Sequence, residues 1–147
     1  MTVHRILKEK SAELITCRSE NLIETVALIL STNKIGALPV CDGGRQIVGI
    51  LSERDIVRGM AKEGSAVVAK KVKDLMTKKV VVCKSTDSIK DAMEIMSKRH
   101  IRHLPVVDED GQLIGIISQR DVMAERLQAA QLEKDVLRER VIVSGAL

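Results

Sequence analysis

The chain contains no phenylalanine, tyrosine or tryptophan in 147 residues. Its interior must therefore be built from Ile, Val, Leu, Met and Ala, and a flat ligand must lie against aliphatic side chains. The same absence argues against single-stranded nucleic-acid binding, which relies on aromatic stacking platforms. Cysteine is scarce: Cys17, Cys41 and Cys83 form no CxxC pair, and their number is odd. No signal-peptide pattern opens the chain, so reduced thiols in a cytoplasmic protein are expected. No apolar run approaches the roughly 20 residues of a membrane span, so no membrane association is expected. An excess of one charge is lacking as well. The 24 basic and 20 acidic residues leave a net +4, interspersed along the chain, and nucleic acid is not an expected partner. Catalytic motifs are missing too: there is no GxSxG, no Walker loop and no HExxH. His4, His100 and His103 lack a partner Cys or carboxylate at ligand spacing. An enzyme is not expected, and no catalytic or metal-binding residue is assigned.

What the chain has is an internal repeat, which should be sought before a fold is argued. Ile35–Asp55 reads IGALPVCDGGRQIVGILSERD, and 66 residues later Ile101–Asp121 reads IRHLPVVDEDGQLIGIISQRD. Extended backwards without a gap, Ile15–Asp55 pairs with Val81–Asp121 at 16 identities in 41 positions, and Pro39 and Pro105 fall in register. Two copies of about 60 residues would each be marginal alone, so a docked pair is expected. The expected divisions are an N-terminal segment over 1–13, a first repeat over 14–64, a linker and lead-in over 65–79, a second repeat over 80–126, and a C-terminal helix or tail over 127–147.

The N-terminal segment is short and amphipathic through Val3, Ile6 and Leu7, and is expected to pack on the first repeat. Leu14–Cys17 reads as a strand. A helix follows from Asn21, where Asn21 and Glu24 have capping-box spacing. Leu38–Cys41 and Gln46–Leu51 read as strands joined by the Asp42-Gly43-Gly44 turn, and Ser52 opens a helix to about Glu63, before Gly64. The second copy repeats this order: a strand over Val80–Cys83, a helix capped by Ser88 with Asp91, strands Leu104–Val107 and Leu113–Ile117, and a helix from Ser118 to about Val141. Cys17 and Cys83, at equivalent strand positions, are expected to be small buried hydrophobes. The surplus turns of the last helix carry Leu127, Ala130, Leu132, Val136 and Leu137. They form either a stripe for a partner subunit or a solvated, charge-laced tail.

Each copy runs a strand into a helix through Gly-x-x-Ser-x-Arg-Asp: Gly49 to Ser52, Arg54 and Asp55, then Gly115 to Ser118, Arg120 and Asp121. A helix start exposes unpaired N–H groups and partial positive charge, which suit a phosphate. The serine hydroxyl can hydrogen-bond that phosphate, and the aspartate can accept from a pair of ribose hydroxyls. Ser-x-x-Asp is also an ordinary cap. Capping alone does not call for the same Arg and Gly in both copies, and the repetition favours a site.

These residues carry a family resemblance. The pattern LPV-x-D, a turn, then a strand ending in Gly-x-x-Ser-x-Arg-Asp resembles the CBS domain, and its tandem resembles a CBS pair, or Bateman module. VKDLMTKKVVVC before the second copy also fits the family's lead-in; the first copy departs, with Ile6–Lys10 (ILKEK) in that place. Short stand-alone bacterial CBS-pair proteins are similar over nearly the whole chain, so no attached enzyme, channel or transporter domain is expected. The resemblance implies an α+β fold of two β-α-β-β-α repeats packed as a pseudo-twofold pair, here with an extended C-terminal helix. It implies a homodimer and two clefts for adenine nucleotides: AMP, ADP, ATP, NAD(H) or S-adenosylmethionine, with AMP foremost. The ribose-binding aspartate falls on Asp55 and Asp121, and the phosphate-contacting serine on Ser52 and Ser118. Adenine would lie near Ile15, Thr16, Val81 and Val82, with Ile35, Ala37 and Ile101 close by. Some relatives use a His-Arg pair before the central strand to contact phosphate. Here Arg102 and His103 stand in reversed order, and either could face the cleft or the surface. The expectation is that the cleft rich in Arg102, His103 and Arg120 holds phosphate more tightly than its twin. The implied function is a sensor passing adenylate state to an effector protein. A ligand-free dimeric scaffold using the last helix is the alternative.

Overall fold

A computed structural model describes residues 1–11 and 13–144. Helix α1 (Val3–Lys10) precedes the first repeat, which comprises α2 (Ile23–Asn33), strands β1 (Ala37–Cys41) and β2 (Ile47–Ser52), and helix α3 (Glu53–Glu63). A 3-10 turn over Gly64–Ala69 and the short α4 (Val72–Leu75) lead to the second repeat. That repeat holds β3 (Cys83–Lys84), α5 (Ile89–Arg99), β4 (His103–Val107), β5 (Leu113–Ser118) and α6 (Gln119–Val143).

The duplication in sequence becomes a duplication of register. β1 and β2 are antiparallel with Leu38 opposite Leu51, and β4 and β5 place Leu104 opposite Ile117, the same pair 66 residues on. Each hairpin carries a bulge, at Val40/Cys41 and at Val106/Val107, and turns through a glycine of positive φ, Gly44 or Gly111. These glycines supply the left-handed geometry that a Cβ would oppose. The two hairpins join end to end: Gln46 bridges Gln112, and the Leu113 N–H donates to the Arg45 carbonyl at 2.8 Å.

The first strand of each repeat is shorter than expected. Leu14–Cys17 makes a single parallel bridge, Cys17 to Val40, and Val80–Cys83 gives way to the two residues Cys83–Lys84 beside β4. In the first repeat Leu14 and Ile15 are only half-buried, whereas Cys17 is buried and exchanges hydrogen bonds with Pro39 and Cys41. All three cysteines are free and buried, and burial pushes the Cys17 and Cys83 thiols up to about 12.

Capping follows the sequence in part. Ser88 accepts from the Asp91 N–H as expected. The Asn21–Glu24 box does not form: the helix cap is Leu22, with no side-chain hydrogen bond, and Asn21 Oδ1 accepts from the Arg18 N–H at 2.8 Å. The asparagine is spent on the turn before the helix.

The core has two centres. Leu38, Val40, Leu51, Ile23 and Val26 form the first; Leu104, Val106, Ile117, Ala92 and Met96 form the second. Each fully buried Leu or Ile among them contributes about 1.5–3 kcal/mol. The N-terminal helix corrects an expectation, because Val3, Ile6 and Leu7 of α1 enter the second centre and not the first. The corresponding place on the first repeat is filled by Val67, Val72, Leu75 and Met76. Each lead-in helix thus packs on the other repeat's surroundings, crossing the pair. Helix α6 is buried only at Val122 and Glu125; Leu127, Leu132 and Leu137 are exposed. No helix among the described residues is long and apolar enough to cross a membrane.

Candidate functional site

The two Ser-x-x-Asp helix starts fold as reciprocal caps. Ser52 Oγ accepts from the Asp55 N–H at 3.3 Å, while Asp55 Oδ2 accepts from the Ser52 N–H at 2.9 Å and from its hydroxyl at 3.0 Å. Ser118 and Asp121 repeat the N–H pairs at 3.1 and 2.9 Å. The capping reading of these residues is therefore correct in both copies. The cap uses one carboxylate oxygen of Asp55; the other, Oδ1, stands 4.0 Å from Arg58.

A recess opens directly over Asp55. It encloses about 200 Å³ and widens into a mouth, so a ligand of nucleotide size would sit partly in solvent. Its wall from the first repeat includes Ala37, Ser52, Arg54 and Asp55, and its wall from the second includes Val81, Ile101, Arg102 and His103. These expected site residues are brought together. Val82, Ile15, Thr16, Ile35, Ser118, Arg120 and Asp121 do not line it. Val82 is exposed, as expected for a neighbour of Val81 on an extended segment. By the repeat register Ile15, Thr16 and Ile35 are the counterparts of Val81, Val82 and Ile101, and Ser118, Arg120 and Asp121 form the second helix start.

One pairing of residues needs correction. Arg102 and His103 line the recess of Asp55 and Arg54, and Arg120 is not among its lining residues. The pseudo-symmetry sets the segment before one repeat's central strand against the helix start of the other. Both residues line the recess. The imidazole also lies against Gly36.

The wall combines cations and aliphatic side chains, with Glu53 and Asp55 as its carboxylates. Arg58 and Lys79 join Arg54 and Arg102, while Ile50, Val80, Val81 and Ile101 supply apolar surface. Burial holds the His103 imidazole below its ordinary range; Glu53 and Asp121 pull it up, and Lys10 and Arg102 push it down. Sequence reasoning missed Arg58, Lys79 and Ile50. Arg58 was detectable, being one helical turn after Asp55 on the same face. Lys79 came only with the crossing of the lead-in over β2, where Thr77 and Ile50 exchange both backbone hydrogen bonds at 2.9 and 3.0 Å.

The Asp121 helix start differs. Lys10 Nζ donates to Asp121 Oδ2 at 2.9 Å and to the Ile116 carbonyl at 3.0 Å. Burial pushes the Asp121 carboxyl up, but Lys10 and Ser118 outweigh it and leave the group below the usual carboxylate range. No group of three or more His, Cys, Asp or Glu among the described residues could hold a metal ion.

Comparison with known proteins agrees with this architecture. The CBS domain family matches residues 6–62 and 72–127. A CBS-domain-containing protein from Agrobacterium tumefaciens superimposes with a TM-score of 0.81 at 37% identity, covering 86% of this chain and 99% of that one. The structure of CBSX2 in complex with AMP gives a TM-score of 0.73 at 29% identity, covering 88% and 98%. Among curated sequences, inosine-5'-monophosphate dehydrogenase of Methanocaldococcus jannaschii is 34% identical over 98% of this chain. The chain spans only 29% of that enzyme's length.

Proposed function

Because the chain belongs to the CBS-domain family, matched over both repeats, we propose that it is a regulatory module that takes an adenine nucleotide at Asp55. AMP is the leading ligand, with ADP, ATP and NAD(H) as alternatives. The observation that carries the reading is the convergence, on one recess, of Asp55, the cations Arg54, Arg58, Lys79 and Arg102, and an aliphatic wall. The free oxygen of Asp55 accepts from the ribose hydroxyls. The rim cations meet the phosphate, and the adenine ring lies against Ile50, Val80, Val81 and Ile101. A chain without aromatic residues can hold a purine in this way.

Support comes from relatives. One similar structure is in complex with AMP, and another CBS pair, 29% identical with a TM-score of 0.76, is in complex with 5'-methylthioadenosine and S-adenosyl-L-methionine. The recess takes residues from both repeats, so a ligand filling it has different contacts whenever the repeats shift. That differential affinity moves the pair between two arrangements, which a homodimer passes to an effector protein. No reaction is assigned to the module. A ligand-free scaffold is the second reading, favoured by the exposed Leu127, Leu132 and Leu137 of α6.

The absence of Trp and Tyr makes the test direct, since bound nucleotide would dominate the ultraviolet spectrum. The purified protein is denatured and the released small molecule identified by mass spectrometry. The stripped protein is then titrated with AMP, ADP, ATP and NAD(H) by calorimetry. Saturable binding that is lost in Asp55→Asn supports the sensor; no binding of any of the four leaves the scaffold.

A further inference from the structure

The two Ser-x-x-Asp helix starts are built on one pattern but are met differently by their lead-ins, and three residues make the difference. At the second lead-in, the Val72 N–H donates to Asn21 O, the Lys73 N–H to Ser19 O, and Lys70 O accepts from the Ile23 N–H. The first lead-in makes the same three bonds with the other repeat: the Val3 N–H to Asp87 O, the His4 N–H to Ser85 O, and Met1 O from the Ile89 N–H. Asn21, Ser19 and Ile23 sit 66 residues before Asp87, Ser85 and Ile89, whereas Val3, His4 and Met1 sit 69 before Val72, Lys73 and Lys70. Packing agrees with the larger offset. A Cβ on Gly49 would strike Met76, and one on Gly115 would strike Leu7, again 69 residues apart.

The first lead-in is thus three residues longer before the repeat proper begins, close to one helical turn of about 3.6 residues. Those residues extend the helix. α4 stops at Leu75, and the extended chain after it gives the Thr77 N–H to the Ile50 carbonyl at 2.9 Å. α1 runs on to Lys10, and the carbonyl of Ile116, the counterpart of Ile50, accepts from Lys10 Nζ instead. The same ammonium is bound to the Asp121 carboxylate. The rim changes in the same direction: Arg58, beside Asp55, corresponds to Ala124 beside Asp121.

We propose that Lys10 is the internal occupant of the Asp121 cleft, so that each chain offers one open nucleotide cleft, at Asp55. The proposal rests on the adenine-nucleotide reading of the Asp55 recess. Lys10 shares Oδ2 with the cap and also holds the Ile116 carbonyl, so a ligand entering over Asp121 would meet a fixed ammonium beside the carboxylate, and displacing it would leave both charges short of partners, which is costly. The surplus turn of α1 therefore makes a duplicated fold asymmetric in use. Lys10 sets the stoichiometry.

Calorimetry with AMP on the full chain tests this, with binding sites per chain as the readout. The wild type is expected to bind one equivalent and Lys10→Ala two. In the double variant Lys10→Ala/Asp55→Asn, one equivalent should remain, showing that the new site is the other cleft. Two equivalents in the wild type, or one in Lys10→Ala, overturns the proposal. Should AMP, ADP, ATP and NAD(H) all fail to bind, the reading of the Asp55 recess fails. Lys10's occupancy is then read without ligand, by acetylation of surface amines followed by mass spectrometry. Lys10 should react several-fold more slowly than Lys8 and gain reactivity in Asp121→Asn; equal rates in the wild type overturn the proposal.

Discussion

Gly36 lies under the imidazole of His103: a Cβ there would stand 3.1 Å from Cε1 and 3.3 Å from Nε2. The ring is wedged between the start of one repeat's central strand and the helix opened by Ser52. Gly36→Ala must push the ring, or the nearby Glu53 carboxylate, aside by a few tenths of an ångström. Glu53 is the flexible end of an exposed side chain, so the fold should tolerate the change. The recess should not. AMP affinity is expected to fall about tenfold, equivalent to about 1.4 kcal/mol, with the thermal midpoint little changed. Calorimetry and a melting curve on the same sample separate the two effects.

His103 gives binding a pH dependence of known sign. Its native-state value is depressed, chiefly by burial. Its contribution to stability is therefore complete above the unfolded histidine range, and is lost as pH falls through the native value. A phosphate at the rim favours the imidazolium and raises that value, so binding takes up protons. AMP affinity should tighten as pH falls from about 7 to about 6. The Arg102, Lys10, Glu53 and Asp121 charges that face the ring set the midpoint, and His103→Gln should flatten the curve. Because the phosphate itself titrates at about pH 6, the comparison is between wild type and His103→Gln, and identical curves for the two would place the phosphate elsewhere.

Glu125 is the buried charge of α6, 2.7 Å from Arg5 Nε on α1, which also reaches Glu9 at 3.4 Å. Desolvation and the neighbouring Glu9 push its carboxyl up against the pull of Arg5. A carboxyl raised in the native state lends stability that is present below the ordinary carboxylate range and is lost as pH rises through the native value. Glu125→Gln should therefore match the wild type in acid and equal or exceed it at neutral pH. Chemical denaturation at two pH values reads the difference.

Ile6 is 4% exposed, in the core of the second repeat. Ile6→Ala should cost about 2–4 kcal/mol. Hydrogen exchange should quicken in β5 and α6 and much less in β1 and β2. Faster exchange confined to the first repeat would contradict the crossed packing.

The duplication was the legible part. The 66-residue register, both hairpins, the α3 and α6 helix starts and the gathering of Ser52, Arg54 and Asp55 follow from pattern and turn chemistry. The first strands were overread, because Leu14–Ile15 and Val80–Val81 have the alternation of strands but only Cys17 and Cys83 reach a partner. The lead-in was misaligned. Val3–Leu7 (VHRIL) is the structural counterpart of Val72–Met76 (VKDLM), and the ungapped register put Ile6–Lys10 there instead. A helix tolerates three extra residues at its free end without disturbing its packed face, so nothing in the hydrophobic pattern marked the insertion. That Arg102 and His103 line the Asp55 recess, while the Asp121 charge also reaches the His103 ring, was missed for a similar cause. Sequence periodicity gives which residues share a repeat, and the pseudo-twofold axis decides which residues face each other across it.

Crossed lead-ins also set an order of events. Val3–Lys10 leaves the ribosome first, yet its apolar face fits against Leu104, Ile117 and Val122, which are made more than 90 residues later. The first core can close once Val72–Met76 has emerged. The second must be complete before α1 has anywhere to go. Contacts of such wide sequence separation slow folding, since a long loop has to close before they contribute. Refolding is expected to finish with α1 seating, and the Lys10–Asp121 pair should be among the last contacts to form.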